Sequence, residues 1–238
     1  MSGKRPFLFR FFRALWWLAT NRDYRNMAWL RLTRPRGLFQ PNNDTKPDRY
    51  PEIFRFVQSQ LGADREVRML SYGCSTGDEV FSLRGYFPRA AIKGIDINRL
   101  NIASCRQRLR RTSDAGISFA VAGSTTGEPS ASHDAIFCMA VLRHGQLGEP
   151  GTTRCDHLIK FADFAAAVKD FSRCLKPGGL LVIRHSNFRL CDAPAGADFE
   201  TILRVDVANP EKLPLFGPDN RLLAGAVYPD TVFRKKPA

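Results

Sequence analysis

The chain has 238 residues, of which 44% are hydrophobic and 25% are charged. This composition excludes a disordered or fibrous protein, and the length suits one α/β domain of about 150–250 residues with an appendage. The net charge is +13, but residues 1–38 carry +8 of it, because nine basic residues oppose one acidic residue there. The basic charge therefore belongs mainly to the N-terminal segment and is weak support for a nucleic-acid partner.

The six cysteines are isolated along the chain and have no pair at the close spacing of a zinc or redox motif. We expect reduced thiols in a cytoplasmic protein, with several of them serving as small hydrophobic residues. His144, Cys155 and His157 could suggest zinc, but their spacing matches no compact structural site. We therefore expect no metal.

Residues 1–38 are predicted to form a basic amphipathic helical segment in front of a domain over residues 39–238. The apolar run 7–19 contains Arg10 and Arg13 and is shorter than the roughly 20 residues of a membrane-spanning helix. Its aromatic and basic residues suit an anionic membrane surface, which predicts a peripheral position at the inner face of a membrane through residues 1–36. A helix packed on the domain as a lid is an equal alternative, and a transit peptide is a weaker one.

After a Pro- and Asn-rich linker or ordered loop at 33–50, strand and helix patterns alternate. Strands are predicted at 67–73, 91–97, 117–123, 133–141 and 179–186, and helices at 77–87, 98–111 and 159–175, with a turn at 176–179. This alternation predicts a Rossmann-like, doubly wound α/β fold with a mainly parallel sheet. Two β-rich stretches between 199 and 236 predict an antiparallel edge near the C-terminus.

The loop after the first strand is the first candidate binding site. In doubly wound sheets the first strand-to-helix turn approaches the ligand most closely, and Gly73 and Gly77 allow a close backbone approach here. Asp78 and Glu79 would repel the pyrophosphate of a dinucleotide, whose three-glycine fingerprint is also missing. A cofactor that carries positive charge and no phosphate, such as S-adenosylmethionine, fits these acids better. They could also simply stabilise the start of the helix.

Asp96 ends the second predicted strand, 19 residues after Gly77. An acid near this position holds the ribose hydroxyls of adenosine cofactors in related folds. A strand-end Asp is often only a turn or cap residue, but its spacing from the loop favours a binding role here.

Four segments together resemble class I S-adenosylmethionine-dependent methyltransferases, and in particular the chemotaxis-receptor glutamate methyltransferases. They are LSYGCSTGDEVFSL, GIDIN, HDAIFCMAVL and LKPGGLLVIRHSN, in this order within residues 45–190. The resemblance implies S-adenosyl-L-methionine as the cofactor, with the loop around its methionine part and Asp96 on its ribose. The predicted cofactor-binding residues are Gly73, Cys74, Ser75, Thr76, Gly77, Glu79, Asp96 and Ile97.

The chain departs from the receptor methyltransferases where the acceptor would bind. Met139-Ala140 stands where those enzymes have Arg-Asn, and their helical N-terminal domain and inserted β-subdomain are not visible in this sequence. Receptor glutamate methylation is therefore not expected. The methyl acceptor is not identified by the sequence.

Methyl transfer from a sulfonium has a good leaving group, so the enzyme chiefly aligns the reactants and excludes water. The acceptor is expected beyond the fourth strand, where Met139, Arg143 and His144 would form the wall. Arg143 and His144 are the candidate catalytic residues, with His144 as a general base. A surface position for His144 in a loop is the alternative with the larger weight.

Two further expectations concern the N-terminal side and the activity. Asp48 is predicted to cap the helix before the first strand, which would bring Arg49 or Tyr50 near the methionine carboxylate of the cofactor. Ala140 and the lack of an obvious base at the fourth strand leave an alternative function open. The chain could be a catalytically silent S-adenosylmethionine-binding or membrane-adaptor protein with the same fold.

Overall fold

A computed structural model describes residues 16–17, 19–20, 28–30, 32–33, 35, 37–43 and 45–237. The first part of the predicted amphipathic helix, residues 7–15, lies outside the described residues. Four α-helices follow the described N-terminal residues: α1 (Pro51–Leu61), α2 (Asp78–Tyr86), α3 (Arg99–Thr112) and α4 (Phe161–Cys174). Seven strands alternate with them or follow them: β1 (Arg68–Tyr72), β2 (Ala91–Asp96), β3 (Ile117–Val121), β4 (His133–Met139), β5 (Leu175–Arg184), β6 (Phe199–Arg204) and β7 (Asp230–Lys235).

The strands form one sheet in the order β3-β2-β1-β4-β5-β7-β6. Strands β1 to β5 pair in parallel, whereas β7 pairs antiparallel with both β5 and β6. The chain moves outward from β1 to β3 and then returns to place β4 beside β1, so the strand order reverses between these two strands. The prediction of a mainly parallel Rossmann-like sheet with an antiparallel edge is confirmed. Ligands of such sheets bind at this reversal, beyond the carboxyl ends of the strands.

Each face of the sheet carries its own hydrophobic core, because side chains alternate between the faces along a strand. Met69 of β1 packs with α1, α2 and α3, whereas its neighbour Leu70 packs with α4. On β4, Phe137 belongs to the same core as Met69, and its neighbour Cys138 belongs to the same core as Leu70. Burial on both faces explains why these central strands are continuous apolar runs in the sequence.

Two predicted local features differ in the structure. Residues 176–179 belong to β5, which pairs with β4 from Leu175 and then shifts register around a β-bulge, with Gly178 at φ +75°. Asp48 does not cap α1: the N-cap is Tyr50, and the Asp48 carboxylate instead accepts a hydrogen bond from the Tyr86 hydroxyl (2.8 Å). The Asp48 side chain, which the local sequence pattern predicted to cap the helix, therefore binds the distant residue Tyr86 instead.

Some of the described N-terminal residues are buried in the domain, and others are exposed on its surface. Leu30 and Phe39 are 6% and 3% exposed, whereas Trp29 and Leu32 are 63% and 80% exposed. Within the described ranges, no helix is both long and apolar enough to span a membrane.

Candidate cofactor and active site

A cleft lies at the carboxyl ends of β2, β1 and β4, where the strand order reverses. Including its open mouth, it contains about 630 Å³ of empty space. Its walls include Gly73 and Ser75 from the β1–α2 loop, Asp96 and Ile97 from the end of β2, and Ala140 after β4.

The β1–α2 loop is folded tightly by three residues with positive φ, Gly73, Ser75 and Gly77. Gly73 has φ +70° and donates its N–H to the Ile95 carbonyl (2.8 Å), and a Cβ there would lie 2.5 Å from a Val141 methyl carbon. Only glycine therefore fits this position. Ser75 has φ +50°, and its Oγ is buried without a hydrogen-bond partner among the described residues. An unpartnered hydroxyl at a cleft wall is a group that a polar ligand can satisfy.

Asp96 is held in a fixed orientation at the centre of the cleft. Its Oδ2 accepts from the Ser75 N–H (2.8 Å), and its Oδ1 accepts from the Asn98 N–H (2.7 Å) and the Asn101 amide (3.3 Å). Burial raises the pKa of Asp96, and these three hydrogen bonds oppose that rise. Since a carboxylate can accept about four hydrogen bonds, capacity is left for a ligand hydroxyl.

Residues 37–43, which we call the strap, cross the cleft and form another of its walls. Asn43 and Asn101 exchange two amide hydrogen bonds (2.8 and 2.9 Å), so the strap is linked through Asn101 to Asp96. Gly37 has φ +85°, and a Cβ there would collide with the Gly123 carbonyl oxygen. The sequence pattern identified this region only as a linker or ordered loop. In the structure it is an ordered part of the cleft.

The other predicted cofactor residues lie around the loop rather than in the wall of this cleft. Cys74 is buried in the core, and Gly77 (φ +90°) is the N-cap of α2, where a Cβ would lie 3.0 Å from the Cys105 sulfur. Thr76 is partly buried between them. The structure thus brings Gly73, Ser75, Asp96 and Ile97 together, and it places Cys74, Thr76, Gly77 and Glu79 outside the lining of the cleft.

Glu79 is a buried carboxyl group below the loop. Its Oε1 accepts a hydrogen bond from the Ser71 hydroxyl (2.7 Å). Burial raises the pKa of Glu79 to about 7, and the Ser71 hydrogen bond opposes this rise. The group therefore ionises near neutral pH rather than in the acidic range that is usual for Glu.

The two predicted catalytic residues have different surroundings. His144 is the N-cap of a short 3₁₀ helix (Gly145–Gly148), where its Nδ1 accepts a long hydrogen bond from the Gln146 N–H (3.4 Å). The His144 N–H donates to the Asn187 side chain (2.7 Å). This local capping role supports the loop alternative for His144. Arg143 instead lies close enough to Tyr50 and His185 to affect both electrostatically.

A cluster beyond β4 brings together Arg143, Arg49 and Tyr50, which were predicted in separate parts of the site, with two residues that were not predicted. The rings of Tyr50 and His185 are 5.9 Å apart between centroids, and the Arg49 guanidinium carbon is 5.4 Å from the Tyr50 ring centroid. His185 follows β5 directly and has φ +55°. We call Arg49, Tyr50, Arg143, Arg184 and His185 the Tyr50–His185 cluster. The motif containing His185 was part of the sequence resemblance, but nothing local marked its role.

Comparison with known proteins identifies the domain. A family model described as a methyltransferase domain matches residues 63–212, which is more than half of the chain. The chain belongs to this family. The match includes the β1–α2 loop, Asp96 and β4, and it confirms the prediction that the chain is a class I S-adenosylmethionine-dependent methyltransferase. It does not show the chemotaxis-receptor type, and a search of curated proteins found no match.

Three solved structures are similar to the methyltransferase domain. One is phosphoethanolamine N-methyltransferase 2 of Haemonchus contortus with S-adenosyl-L-methionine (16% identity, TM-score 0.45, 82% of this chain and 39% of that one). The second is geranyl diphosphate C-methyltransferase of Streptomyces coelicolor A3(2) with S-adenosyl-L-homocysteine (18%, 0.42, 56% and 44%). The third is the [4+2]-cyclase SpnF (21%, 0.43, 56% and 43%). The chain thus spans less than half of each of these proteins.

Replacement of Asp96 tests the cleft. Asp96→Asn keeps the shape of the side chain but removes its charge, and hydrogen bonds to charged groups are worth about 1.5–3 kcal/mol. We expect the Kd for S-adenosylhomocysteine, measured by calorimetry, to rise about 10- to 100-fold. Asp64→Asn, at an exposed position outside the cleft, is the matched control and should leave the Kd unchanged. Equal affinities of Asp96→Asn and the parent chain would contradict this role.

Replacement of Glu79 tests its buried ionisation. Its ordinary pKa is 4.5 and its folded value is about 7, so the unfolded chain loses the proton first and stability falls as the pH rises through this window. A change of one in pKa corresponds to about 1.4 kcal/mol, which sets an upper limit of about 3 kcal/mol. We expect Glu79→Gln to be more stable than the parent at pH 8 and to have a flatter pH profile in thermal unfolding. The exposed Glu149→Gln should retain the parent profile.

Proposed function

We propose that the chain transfers the methyl group of S-adenosyl-L-methionine to an acceptor that binds next to the end of β4. The main support for this proposal is the Asp96 carboxylate. The Ser75 N–H orients it in a cleft at the point where the strand order of the methyltransferase domain reverses. A dinucleotide fits this loop less well, because the Glu79 carboxyl follows it at the start of α2, beside Asp78, which forms an ion pair with Arg108 (2.6 Å). The net positive charge of S-adenosylmethionine suits these acids.

The residues present fit the cofactor group by group. Asp96 would accept the ribose hydroxyls, Ile97 and Ala122 would contact the adenine, and the unpartnered Ser75 hydroxyl would bind a polar group of the cofactor. The Glu79 carboxyl lies under the loop that would surround the methionine part. The ammonium of that part would favour the ionised form of Glu79 and lower its pKa from about 7.

The protein's contribution to the reaction is mainly placement. When bound, the cofactor supplies an activated methyl group and a neutral thioether leaving group. The strap and the β1–α2 loop would hold it along the ends of β2 and β1, and Met139 and Ala140 would line its reactive side after β4. Ala140 has φ +60° and its N–H donates to the Arg184 carbonyl (2.7 Å), which fixes the boundary with the next strand. Alignment of this kind supplies much of the rate in bimolecular transfers.

A silent cofactor-binding protein is the second candidate, because Met139 and Ala140 offer no acid or base at the end of β4. Incubation with methyl-labelled S-adenosylmethionine and a cell extract distinguishes the two functions. We expect label in one of the protein, lipid, nucleic-acid or small-molecule fractions, and an Asp96→Asn control should reduce it about 10-fold or more. Cofactor binding by calorimetry with label in no fraction would favour the silent alternative.

We also propose that the N-terminal segment attaches the enzyme to an anionic membrane surface. Four large apolar side chains are exposed on its described part: Trp16, Trp17, Trp29 and Leu32. The surrounding residues 1–38 carry a net charge of +8, and each basic residue near anionic lipid contributes about 1 kcal/mol. Such attachment would favour a lipid-linked or membrane-associated acceptor.

Vesicle binding tests this attachment with the full chain. We expect co-sedimentation with phosphatidylserine vesicles that decreases in high salt, and a loss of binding when Trp16, Trp17, Trp29 and Leu32 are all changed to Ala. The matched control changes Val121 and Val227 to Ala, because they are exposed apolar residues of the domain (44% and 52%). Equal sedimentation of both variants, with no effect of salt, would show that the segment is only a packed lid.

A further inference from the structure

The strap lies outside the part of the chain that the family model matches. The match begins at residue 63, whereas the strap comprises residues 37–43. Every residue of the strap lines the cofactor cleft. One wall of the cleft is therefore supplied from outside the matched domain, and its role follows from its own contacts rather than from the family.

The two ends of the strap are held by different kinds of contact. At the first end, Gly37 lies against the Gly123 carbonyl and leaves no space for a Cβ. In the middle, Phe39 is 3% exposed and belongs to the hydrophobic core. At the last end, Asn43 is exposed, and its side chain forms two amide hydrogen bonds with Asn101 of α3. Packing thus fixes the first part of the strap, and hydrogen bonds hold its last side chain.

The amide pair fixes the orientation of Asn101. The Asn43 nitrogen donates to the Asn101 oxygen (2.8 Å), and the Asn101 nitrogen donates back to the Asn43 oxygen (2.9 Å). The same Asn101 nitrogen also donates to the Asp96 carboxylate (3.3 Å), so both of its hydrogens are used. Rotation of the Asn101 amide alone would break both bonds of the pair and would turn its oxygen toward the carboxylate. Asn43 therefore controls which side of Asn101 faces Asp96.

Asn101 is the donor to Asp96 that another side chain can control. The donors at Ser75 and Asn98 are backbone N–H groups, and among the described residues Asn101 is the one side-chain donor to this carboxylate. Asn101 is 4% exposed, so water has little access to replace its hydrogen bonds. Burial raises the pKa of Asp96, and the hydrogen bond from Asn101 opposes that rise.

We propose that Asn43 is a positioning residue of the cofactor site, which acts on the Asp96 carboxylate through Asn101. The strap then does more than cover the cleft, because its last side chain holds the donor that keeps Asp96 ionised and oriented. The role of Asp96 toward a cofactor rests on the proposed function, whereas the connection from Asn43 to Asp96 does not. By linkage, a ligand that binds the oriented carboxylate also stabilises the attached strap.

Calorimetry with S-adenosylhomocysteine on the full chain tests the effect on binding. We expect Asn43→Ala to raise the Kd about 10-fold, because the Asn101 amide loses the two hydrogen bonds that fix it. Asn101→Leu fills the same space without a donor and should raise the Kd by at least as much. Gln107→Ala is the matched control, because it removes an exposed amide of α3 outside the cleft and should leave the Kd unchanged.

The double variant distinguishes positioning from direct contact. If Asn43 acts through Asn101, the double variant binds S-adenosylhomocysteine as Asn101→Leu alone does, within about 2-fold. A direct contact of Asn43 with the ligand, or a role only in the shape of the cleft, would make the two effects multiply, and this result would overturn the positioning role. Thermal unfolding shows which variants remain folded, and Asn101→Ala replaces Asn101→Leu in the cycle if the latter unfolds.

Titration of Asp96 by carbon NMR measures the positioning without any ligand. The Asp96 carboxyl is assigned by the signal that disappears in Asp96→Asn. Loss of an oriented donor destabilises the ionised form, so we expect a higher midpoint in Asn43→Ala and in Asn101→Leu than in the parent chain. Gln107→Ala should retain the parent midpoint. A role of the strap that is only structural would not move this midpoint.

Other ionisable groups near Asp96 do not produce this difference. Tyr72 and Cys74 interact with Asp96, but burial raises the pKa of each above its ordinary value. Both therefore stay neutral below about pH 8. Glu79 has a pKa of about 7 and titrates in the parent chain and in the variants alike.

The outcomes separate this inference from the proposed function. If S-adenosylhomocysteine does not bind the parent chain, the proposed function fails, and the titration of Asp96 in the ligand-free chain still decides whether Asn43 acts on this carboxylate. If the ligand binds, but Asn43→Ala leaves either the Kd or the Asp96 midpoint at the parent value, the positioning role is overturned.

Discussion

The hydrogen bond from the Ser75 N–H to the Asp96 carboxylate is the contact on which the site depends. It joins the loop after β1 to the end of β2 across a separation of 21 residues and stabilises the positive φ of Ser75. The same carboxylate accepts from Asn98, which begins α3, and from Asn101, which binds the strap through Asn43. One buried acid thus positions the loop, the helix and the strap around the cleft. The cost of burying it is offset by these donors, because a carboxylate left without them would shift toward its neutral form.

Charged side chains of both signs lie along this edge of the sheet. Asp96 and Glu79 lie on the side of β2 and β1, whereas Arg143 and Arg184 lie on the side of β4 and β5. The neutral residues Met139 and Ala140 separate the two sides at the end of β4.

Regular elements and local motifs could be predicted from the sequence, and long-range contacts could not. The central strands are recognisable because burial on both faces makes them continuous apolar runs, and the loop Gly73–Gly77 is recognisable because its backbone needs glycine. The Asn43–Asn101 pair joins residues 58 positions apart, and Tyr50 meets His185 only after the sheet is assembled. Asp is a common helix-capping residue, but the Asp48 side chain instead accepts a hydrogen bond from the distant Tyr86 hydroxyl. The periodicity of apolar residues indicates which face of a helix or strand is buried, but it does not indicate which distant residues pack against that face.

The N-terminal segment links the membrane proposal to the cofactor cleft. Trp29 and Leu30 are adjacent in the chain, yet Trp29 is 63% exposed and Leu30 lines the cleft at 6% exposure. One turn of helix can therefore present an aromatic side chain to lipid while it closes the cofactor cleft with its other face. The sequence left two alternatives for the N-terminal segment, a lid on the domain and a membrane anchor. One helical segment can serve as both. Insertion of Trp29 and Leu32 into a lipid surface would restrain the strap that follows them and, through Asn43, the orientation of Asp96. Membrane contact and cofactor affinity would then be coupled in both directions, since linkage between two binding sites is reciprocal.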